Sequence, residues 1–324
     1  MSVHLLLDTK GGYPFIADNL GVACKVHVSP ECGSKYLTWL KGAIEVVKNS
    51  RKDDLIICVY DFQAVLCYIY LLLTLRRRKI LAINVLLKDK NTLRNKLARW
   101  LYTLAFKNRN FVATVTSEEY GKWLRQVCGV NCDFPLLKDV CYESYKSIGD
   151  YQSEYAGRPY VFCGGRNGRD WSFMIEVAKR TPDVSYKLVM PRCYFERLGE
   201  LPANVECQCD IDSDSFSRIM ADASVIAMPL DTFAPAGLIV IFQSACLSKP
   251  IVVTSTMVTR AYLSDGRGFT LENDADVWVD TIRRLMANPN EARLAASRLR
   301  DFVCEECSEK EYVSRIRQII DAYF

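Results

Sequence analysis

Histidine is scarce in this chain: two residues of 324, His4 and His27. With so few imidazoles and one C-x-x-C pair, Cys304 and Cys307, no zinc-type ligand set is spaced along the sequence and no metal site is expected. Glycine and proline are also sparse, at 16 and 11 residues, which excludes a collagenous or low-complexity chain. A bilayer-spanning run is missing. The best candidate, Leu55 to Leu75, is interrupted by Asp61 and Gln63, and its unbroken part falls short of the ~20 apolar residues a span needs. The opening residues, MSVHLLLDTKGG, hold a short apolar run without a basic flank, so no secretory signal is expected. Neither G-x-G-x-x-G nor the Walker lysine pattern occurs, so dinucleotide binding and ATP hydrolysis are not indicated.

What is present is ordinary globular material, 50% hydrophobic and 25% charged, in a length that suits two domains. The 14 cysteines are scattered and read as reduced thiols of a cytoplasmic protein. Charge is unevenly placed. Residues 1–150 carry 22 Lys and Arg against 14 Asp and Glu, whereas residues 151–324 carry 20 against 24. Within the first half, residues 76–109 hold eleven basic residues and one acid, Asp89. Such a local field attracts polyanions, whether lipid, nucleic acid or phosphorylated substrate.

Apolar runs alternate with helical patterns. VHLLL precedes Gly11-Gly12, and a helix is predicted over about Tyr36 to Asn49. LIICVY precedes a helix from about Phe62 to Arg76, ended by the cations Arg76, Arg77, Arg78 and Lys79. ILAINVLL leads to the helix within NTLRNKLARWLYTLAF, and FVATVTS to a helix over Glu118 to Cys128, with Ser117 as its cap. Cys141 to Pro159 is polar and aperiodic and reads as a linker. Alternation resumes with YVFCGG, a helix over Trp171 to Arg180, YKLVM, and a helix over Ser213 to Ala221. SVIAMPL, a helix over Leu238 to Leu247, PIVVT, a helix over Asp276 to Ala287 and an amphipathic run over Lys310 to Tyr323 complete the chain. This order predicts an α/β protein of two Rossmann-like domains, 1–150 and 151–308, followed by a C-terminal helix, 309–324.

One helix has two readings. Leu93, Leu97, Trp100, Leu101 and Leu104 recur at helical spacing, with Arg94, Lys96, Arg99 and Lys107 largely on other faces. Such a helix can lie on a membrane surface, or be a domain helix packed on a sheet with a solvated basic face, and both can hold at once.

Candidate chemistry sits in the turns after strands, where open α/β sheets bind ligands. Gly11 and Gly12 follow the first strand. In GGRNGRDW, Gly165 permits close backbone approach, and Arg166 and Arg169 suit phosphate oxygens; the bland reading makes Arg169-Asp170 a surface pair with Asp170 as a helix cap. Between Pro229 and Thr254, a Pro- and Gly-containing loop reaches Ala236, Gly237, Leu238 and Ile239 at a helix start. Free N–H groups and the helix dipole there suit an anion such as a nucleotide diphosphate, with Gln243 further in. Asp61, ending LIICVY, is either a polar site residue or a cap. CDIDSDS contains D-x-D twice but precedes a helix, where acids and Ser serve as caps.

The run Pro229–Thr254 resembles the donor region of GT-B glycosyltransferases, in particular retaining family 4, where it reads E-G-F-G-L-x-x-x-E-A-M-A-x-G-x-P-V-V. The resemblance continues through AYLSDGRGF and LMANPNEARLAA, and covers 158–324 well and 1–150 loosely. It implies two Rossmann-like domains facing a cleft, with the C-terminal helix crossing back to the first. It also implies a metal-independent, retaining, hexosyltransferase-type reaction from a nucleotide-diphosphate sugar, a UDP-sugar foremost, with no permanently bound cofactor. Arg166 and Arg169 stand at the family's diphosphate-holding Arg and Lys, and Gly237 to Ile239 at its phosphate-binding amides. Counting back from Pro250, Gln243 stands at the ribose-binding glutamate and Pro235 at the sugar-contacting one. Counting from Gly237-Leu238, the pair is Phe242 and Ala234. Neither register supplies a carboxylate, and Asp231 is the nearest acid. Gly11 and Gly12 match the N-terminal glycine loop. Neither histidine matches the family's, so Asp61 joins Arg166 and Arg169 as the expected catalytic set. With the basic stretch 76–109, the resemblance implies a lipid-linked or oligosaccharide acceptor, as in capsule or exopolysaccharide assembly. The protein is then peripheral on anionic lipid at the inner face of the cell membrane. Nucleic acid is not an expected partner, because aromatic-interleaved basic motifs are missing. The alternative is a catalytically inactive GT-B-like binding or partner protein, motivated by Gln243 and Pro235.

Overall fold

The apolar runs become the strands of two parallel sheets. The structure, a computed structural model, describes residues 2–8, 13–88, 91–151 and 155–324. The chain divides into two units, Met1–Val140 with Glu309–Phe324, and Cys141–Ser308.

The first unit begins β1 (Val3–Leu7), α1 (Pro14–Asn19), β2 (Cys24–Val28), α2 (Lys35–Asn49), β3 (Leu55–Cys58) and α3 (Asp61–Leu73). It continues β4 (Lys79–Ala82), α4 (Leu93–Phe106), β5 (Phe111–Ala113) and α5 (Glu118–Cys128). Strand order is β2-β1-β3-β4-β5, all parallel. Every position of β1 and β3 is buried, as expected of strands covered on both faces.

The second unit runs α6 (Glu143–Lys146), β6 (Tyr160–Gly164), α7 (Trp171–Arg180), β7 (Ser185–Met190), α8 (Arg192–Phe195), β8 (Val205–Cys209) and α9 (Ser213–Asp222). Then come β9 (Val225–Met228), α10 (Leu238–Cys246), β10 (Ile251–Thr254), α11 (Met257–Leu263), β11 (Phe269–Leu271), α12 (Ala275–Ala287) and α13 (Pro289–Glu306). Its sheet is also parallel, ordered β11-β10-β9-β6-β7-β8. The last helix, α14 (Glu309–Tyr323), belongs to the first unit. There Tyr312 lies 6.0 Å from the Phe15 ring, and Arg317 Nε donates to Leu20 O at 2.7 Å.

Two expectations change and one is refined. Helix α3 stops at Leu73, and Leu75, with φ 52°, closes it: Arg76 N–H donates to Leu71 O at 2.9 Å, the six-to-one bond of a Schellman cap. Arg76 to Arg78 therefore lie in the connector to β4 rather than in the helix. The expected linker is partly built into the second unit. Cys141 N–H donates to Cys307 O at 2.8 Å, and α6 with the following turn packs on α10, so the unit boundary precedes residue 150. Helix α4 buries Tyr102, Ala105 and Phe106, and its leucine-tryptophan face points away from that core. Helix α4 does pack on its own unit, but through Tyr102, Ala105 and Phe106 rather than through the leucine-tryptophan face.

Candidate functional site

In the second sheet the chain leaves β6 toward β7 on one side and later returns to add β9 on the other. The loops after β6 and β9 consequently diverge, and a crevice opens at the carboxyl ends of these two strands. Both glycine-containing motifs of the sequence fall on it.

The two loops are tied together. Asp170 N–H donates to Pro229 O at 3.0 Å and Asp231 N–H to Gly168 O at 3.1 Å, with Arg169 and Leu230 bridged between them. Asp170 also caps α7 by accepting Phe173 N–H at 3.0 Å. Leu230 N–H donates to Thr254 Oγ1 at 2.7 Å, and Thr254 Oγ1 to Asn273 Oδ1 at 2.6 Å, so the ends of β9 and β10 and the turn after β11 brace the same place.

Arg169 is the centre of this arrangement and is only 7% exposed. It is not the surface ion-pair partner of Asp170: its Nε donates to Gly164 O at 2.9 Å and its Nη1 to Asn167 O at 3.1 Å. Among the described residues no carboxylate pairs with it. Burial pulls its pKa down, while Cys163 and Asp231 push it back up, and a guanidinium stays charged in proteins. An unpaired buried cation is costly unless an anion joins it. Glycine is required around it. Gly165 has φ 133°, and a Cβ there would lie 2.6 Å from Arg169 Nη2. Gly237 has φ 84°, and a Cβ there would lie 2.6 Å from Met228 Cε and 3.8 Å from Arg169 Nη1.

Gly237 is the N-cap of α10 and offers no side-chain cap. Ile241 N–H makes the first helical bond, donating to Gly237 O at 3.1 Å, so the N–H groups of Leu238, Ile239 and Val240 precede the ladder. The end of α10, the buried Arg169 and two glycines therefore converge at one crevice, an arrangement suited to phosphate oxygens. Arg166 and Asp231 are exposed at its rim, and Ala236 is half-buried. Gln243 is buried one turn beyond Ile239 on the same helical face. Phe242 packs in the core against Tyr262, 5.9 Å between rings, which leaves Gln243 rather than Phe242 on the Ile239 face.

In the first unit Asp61 is tied into the scaffold. It is buried, its Oδ2 accepts Tyr102 Oη–H at 2.5 Å and Leu86 N–H at 2.7 Å, and its Oδ1 accepts Phe62 N–H at 2.8 Å. A carboxylate so engaged fastens the connector after β4 to α3 and α4. Burial raises its pKa, and these hydrogen bonds, Tyr102 first, oppose the rise. Gly11 and Gly12 lie outside the described residues. Ser117 caps α5 through Tyr120 N–H at 3.2 Å, and Asp212 of the D-x-D run caps α9 through Ser215 N–H at 2.9 Å.

Sequence reasoning missed an aromatic cluster at the carboxyl ends of β1 and β3. Trp39 Nε1 donates to Asp8 Oδ1 at 2.9 Å, and its ring stacks on Tyr60 at 6.1 Å and meets Tyr36 edge-on at 5.8 Å. Tyr36 and Tyr60 are exposed, and Lys35 Nζ lies 4.5 Å above the Trp39 ring. The available signal was Tyr36 and Trp39 at i, i+3, next to aromatics flanking Asp61.

No family model matches the chain, and no curated protein does. Solved structures do match. A sucrose-phosphate synthase from Thermosynechococcus elongatus is 14% identical with a TM-score of 0.75, covering 99% of this chain and 98% of that one. HepE from Anabaena, in complex with UDP and glucose, is 14% identical with a TM-score of 0.71, covering 99% and 100%. A glycosyltransferase from Rickettsia africae is 13% identical with a TM-score of 0.69, covering 99% and 98%. The chain has the α/β fold of two parallel-sheet Rossmann-like domains that these GT-B glycosyltransferases share.

Proposed function

We propose that the protein is a glycosyltransferase that moves a sugar from a UDP-sugar to an acceptor hydroxyl. The observation that carries this reading is the unpaired, buried Arg169 beside Gly165 and Gly237 at the open end of α10. The second unit holds the donor. Arg169 and the amides of Leu238 and Ile239 meet the diphosphate, and exposed Arg166 reaches it from the rim. As the glycosidic bond breaks, negative charge gathers on the departing diphosphate. Prearranged cations and amides stabilise it there, so transfer proceeds without a metal. The Gln243 amide hydrogen-bonds ribose hydroxyls. UDP is favoured because HepE, alike over the whole chain, is found with UDP and glucose. The resemblance to family 4 favours a hexosyl donor and retention.

The first unit holds the acceptor, and its Trp39-Tyr60 cluster offers ring faces for a saccharide. A lipid-linked saccharide of capsule or exopolysaccharide assembly, at the inner face of the cell membrane, suits the basic stretch 76–109. Among the described residues no helix is long and apolar enough to cross a membrane, and the association in this reading is a peripheral one. The inactive alternative is less favoured: a scaffold without a nucleotide has no use for an unpaired guanidinium kept out of water.

Calorimetric titration with UDP, GDP, ADP and CMP in the presence of EDTA tests the reading. UDP is expected to bind, and Arg166→Ala to weaken it about tenfold, the value of one charge-assisted hydrogen bond at ~1.5 kcal/mol. Failure of every nucleotide, or binding only with added divalent metal, would overturn it. NMR of the anomeric proton of the product then decides retention.

A further inference from the structure

The connectors before β4 and β5 lie at the amino ends of those strands, the opposite edge of the first sheet from Asp8 and Tyr60. Between them opens a cavity of about 700 Å³. Its floor is apolar, including Leu71, Ile80 and Phe111, and its rim carries Arg76, Arg77, Arg78, Lys107 and Arg109. Arg78 is anchored, with Nη2 donating to Ser50 O at 2.7 Å. Among the described residues no carboxylate pairs with Arg76, Arg77, Lys107 or Arg109. The lip is apolar and out in solvent: Leu73 is 78% exposed and Leu75 is 94% exposed.

The same surface continues along α4 through Leu104, one turn before Lys107. Leu93 is 86% exposed, Leu97 58% and Trp100 57%. At ~100° per residue, Leu93, Leu97, Trp100 and Leu104 fall within about 60° of one another, opposite the buried Tyr102, Ala105 and Phe106. Arg94 and Lys96 flank this stripe on its two sides. An apolar stripe bordered by cations, continuous with a cationic cavity, matches a lipid surface, which offers acyl chains and phosphates together. A nucleic acid supplies the phosphates but nothing for these six solvent-facing leucine and tryptophan side chains to enter.

We propose that the tip of α3, the outer face of α4 and the cavity between their ends dock the first unit on an anionic lipid bilayer. The leucines and Trp100 enter the headgroup boundary, and the arginine rim receives a lipid phosphate. This deepens the peripheral-membrane part of the function proposed above by naming its surface, and it does not depend on sugar transfer.

Flotation of the full chain with vesicles tests it, using phosphatidylcholine alone or with about one third phosphatidylglycerol, over a range of NaCl. Binding is expected to the anionic vesicles and to weaken with salt. Each neutralised cation, as in Arg76→Gln and Arg77→Gln, costs about fivefold. Leu73→Ser with Leu75→Ser, or Leu97→Ser with Trp100→Ser, costs about tenfold or more. All four positions are solvent-facing, so these variants keep the wild-type melting profile and UDP titration. Val277→Ser with Leu294→Ser, exposed in the second unit, leaves binding unchanged. Absent or equal binding to the two vesicle types, indifference to both leucine variants, or displacement by an oligonucleotide at equal phosphate would overturn the proposal. The UDP titration of the same samples reports separately on the donor reading.

Discussion

Phenylalanine in place of Tyr102 decides whether Asp61 is scaffold or catalyst. The substitution removes one oxygen and leaves the ring packing against Phe106 and Phe62 intact. It deletes the 2.5 Å hydrogen bond to Asp61 Oδ2 and leaves that buried carboxylate with two backbone donors. A hydrogen bond to a charged acceptor contributes ~1.5–3 kcal/mol, so about 2 kcal/mol of the first unit's stability should be lost at neutral pH. The pH dependence has a definite sign. Burial already raises the pKa of Asp61 above its ordinary value, and loss of the donor raises it further. A carboxyl that holds its proton more tightly when folded loses stability as pH rises through its folded pKa. The deficit of the variant should therefore be smallest near pH 4 and grow toward pH 7. Urea unfolding followed by far-UV circular dichroism at several pH values measures it, with only the first unit's transition shifting. Unchanged stability at pH 7 together with loss of sugar transfer would refute the scaffold role and restore Asp61 to the chemistry.

Gly237→Ala combines a left-handed backbone with a Cβ 2.6 Å from the flexible end of Met228. It should cost about 1–2 kcal/mol in the melt of the second unit and weaken UDP in calorimetry. His27 is held below its ordinary pKa by burial and by His4, whose Nδ1 lies 2.9 Å from its Nε2. The unfolded chain therefore takes up a proton near pH 6.5 that the native one refuses, so stability is lost as pH falls below that value. Subtracting the stability-pH curve of His27→Gln from that of the wild type isolates this loss. Among the thiols, Cys246 is drawn down by a hydrogen bond from Cys141, 3.7 Å away, and by Lys146 and Arg300, while burial pushes Cys163 up to about 12. Timed alkylation at pH 7.5 with peptide mapping should label Cys246 well before Cys163.

Where a residue's role depends only on neighbours a few positions away, the sequence was enough. Glu118–Cys128 forms one helix because Ser117 caps it and Gly129 ends it. Asp170 and Asp212 cap their helices for the same local reason. The buried parallel strands announce themselves as short unbroken apolar runs, and their alternation with helices determined the fold class. The glycine turns after β6 and β9 were also legible, because backbone that leaves a strand for a helix N-terminus leaves a local trace. Tertiary structure decided what periodicity leaves open. An amphipathic pattern says that α4 has two faces, but only packing shows that Tyr102, Ala105 and Phe106 take the core and the leucine stripe takes the outside. Asp61 looks alike in sequence whether it lines a site or anchors a loop; only the fold brings Tyr102, forty-one residues on, to the same oxygen as Leu86 N–H. Likewise Arg76 and Arg109 meet at one cavity because β4 and β5 are neighbours in the sheet, a pairing set by chain crossover that no local pattern records.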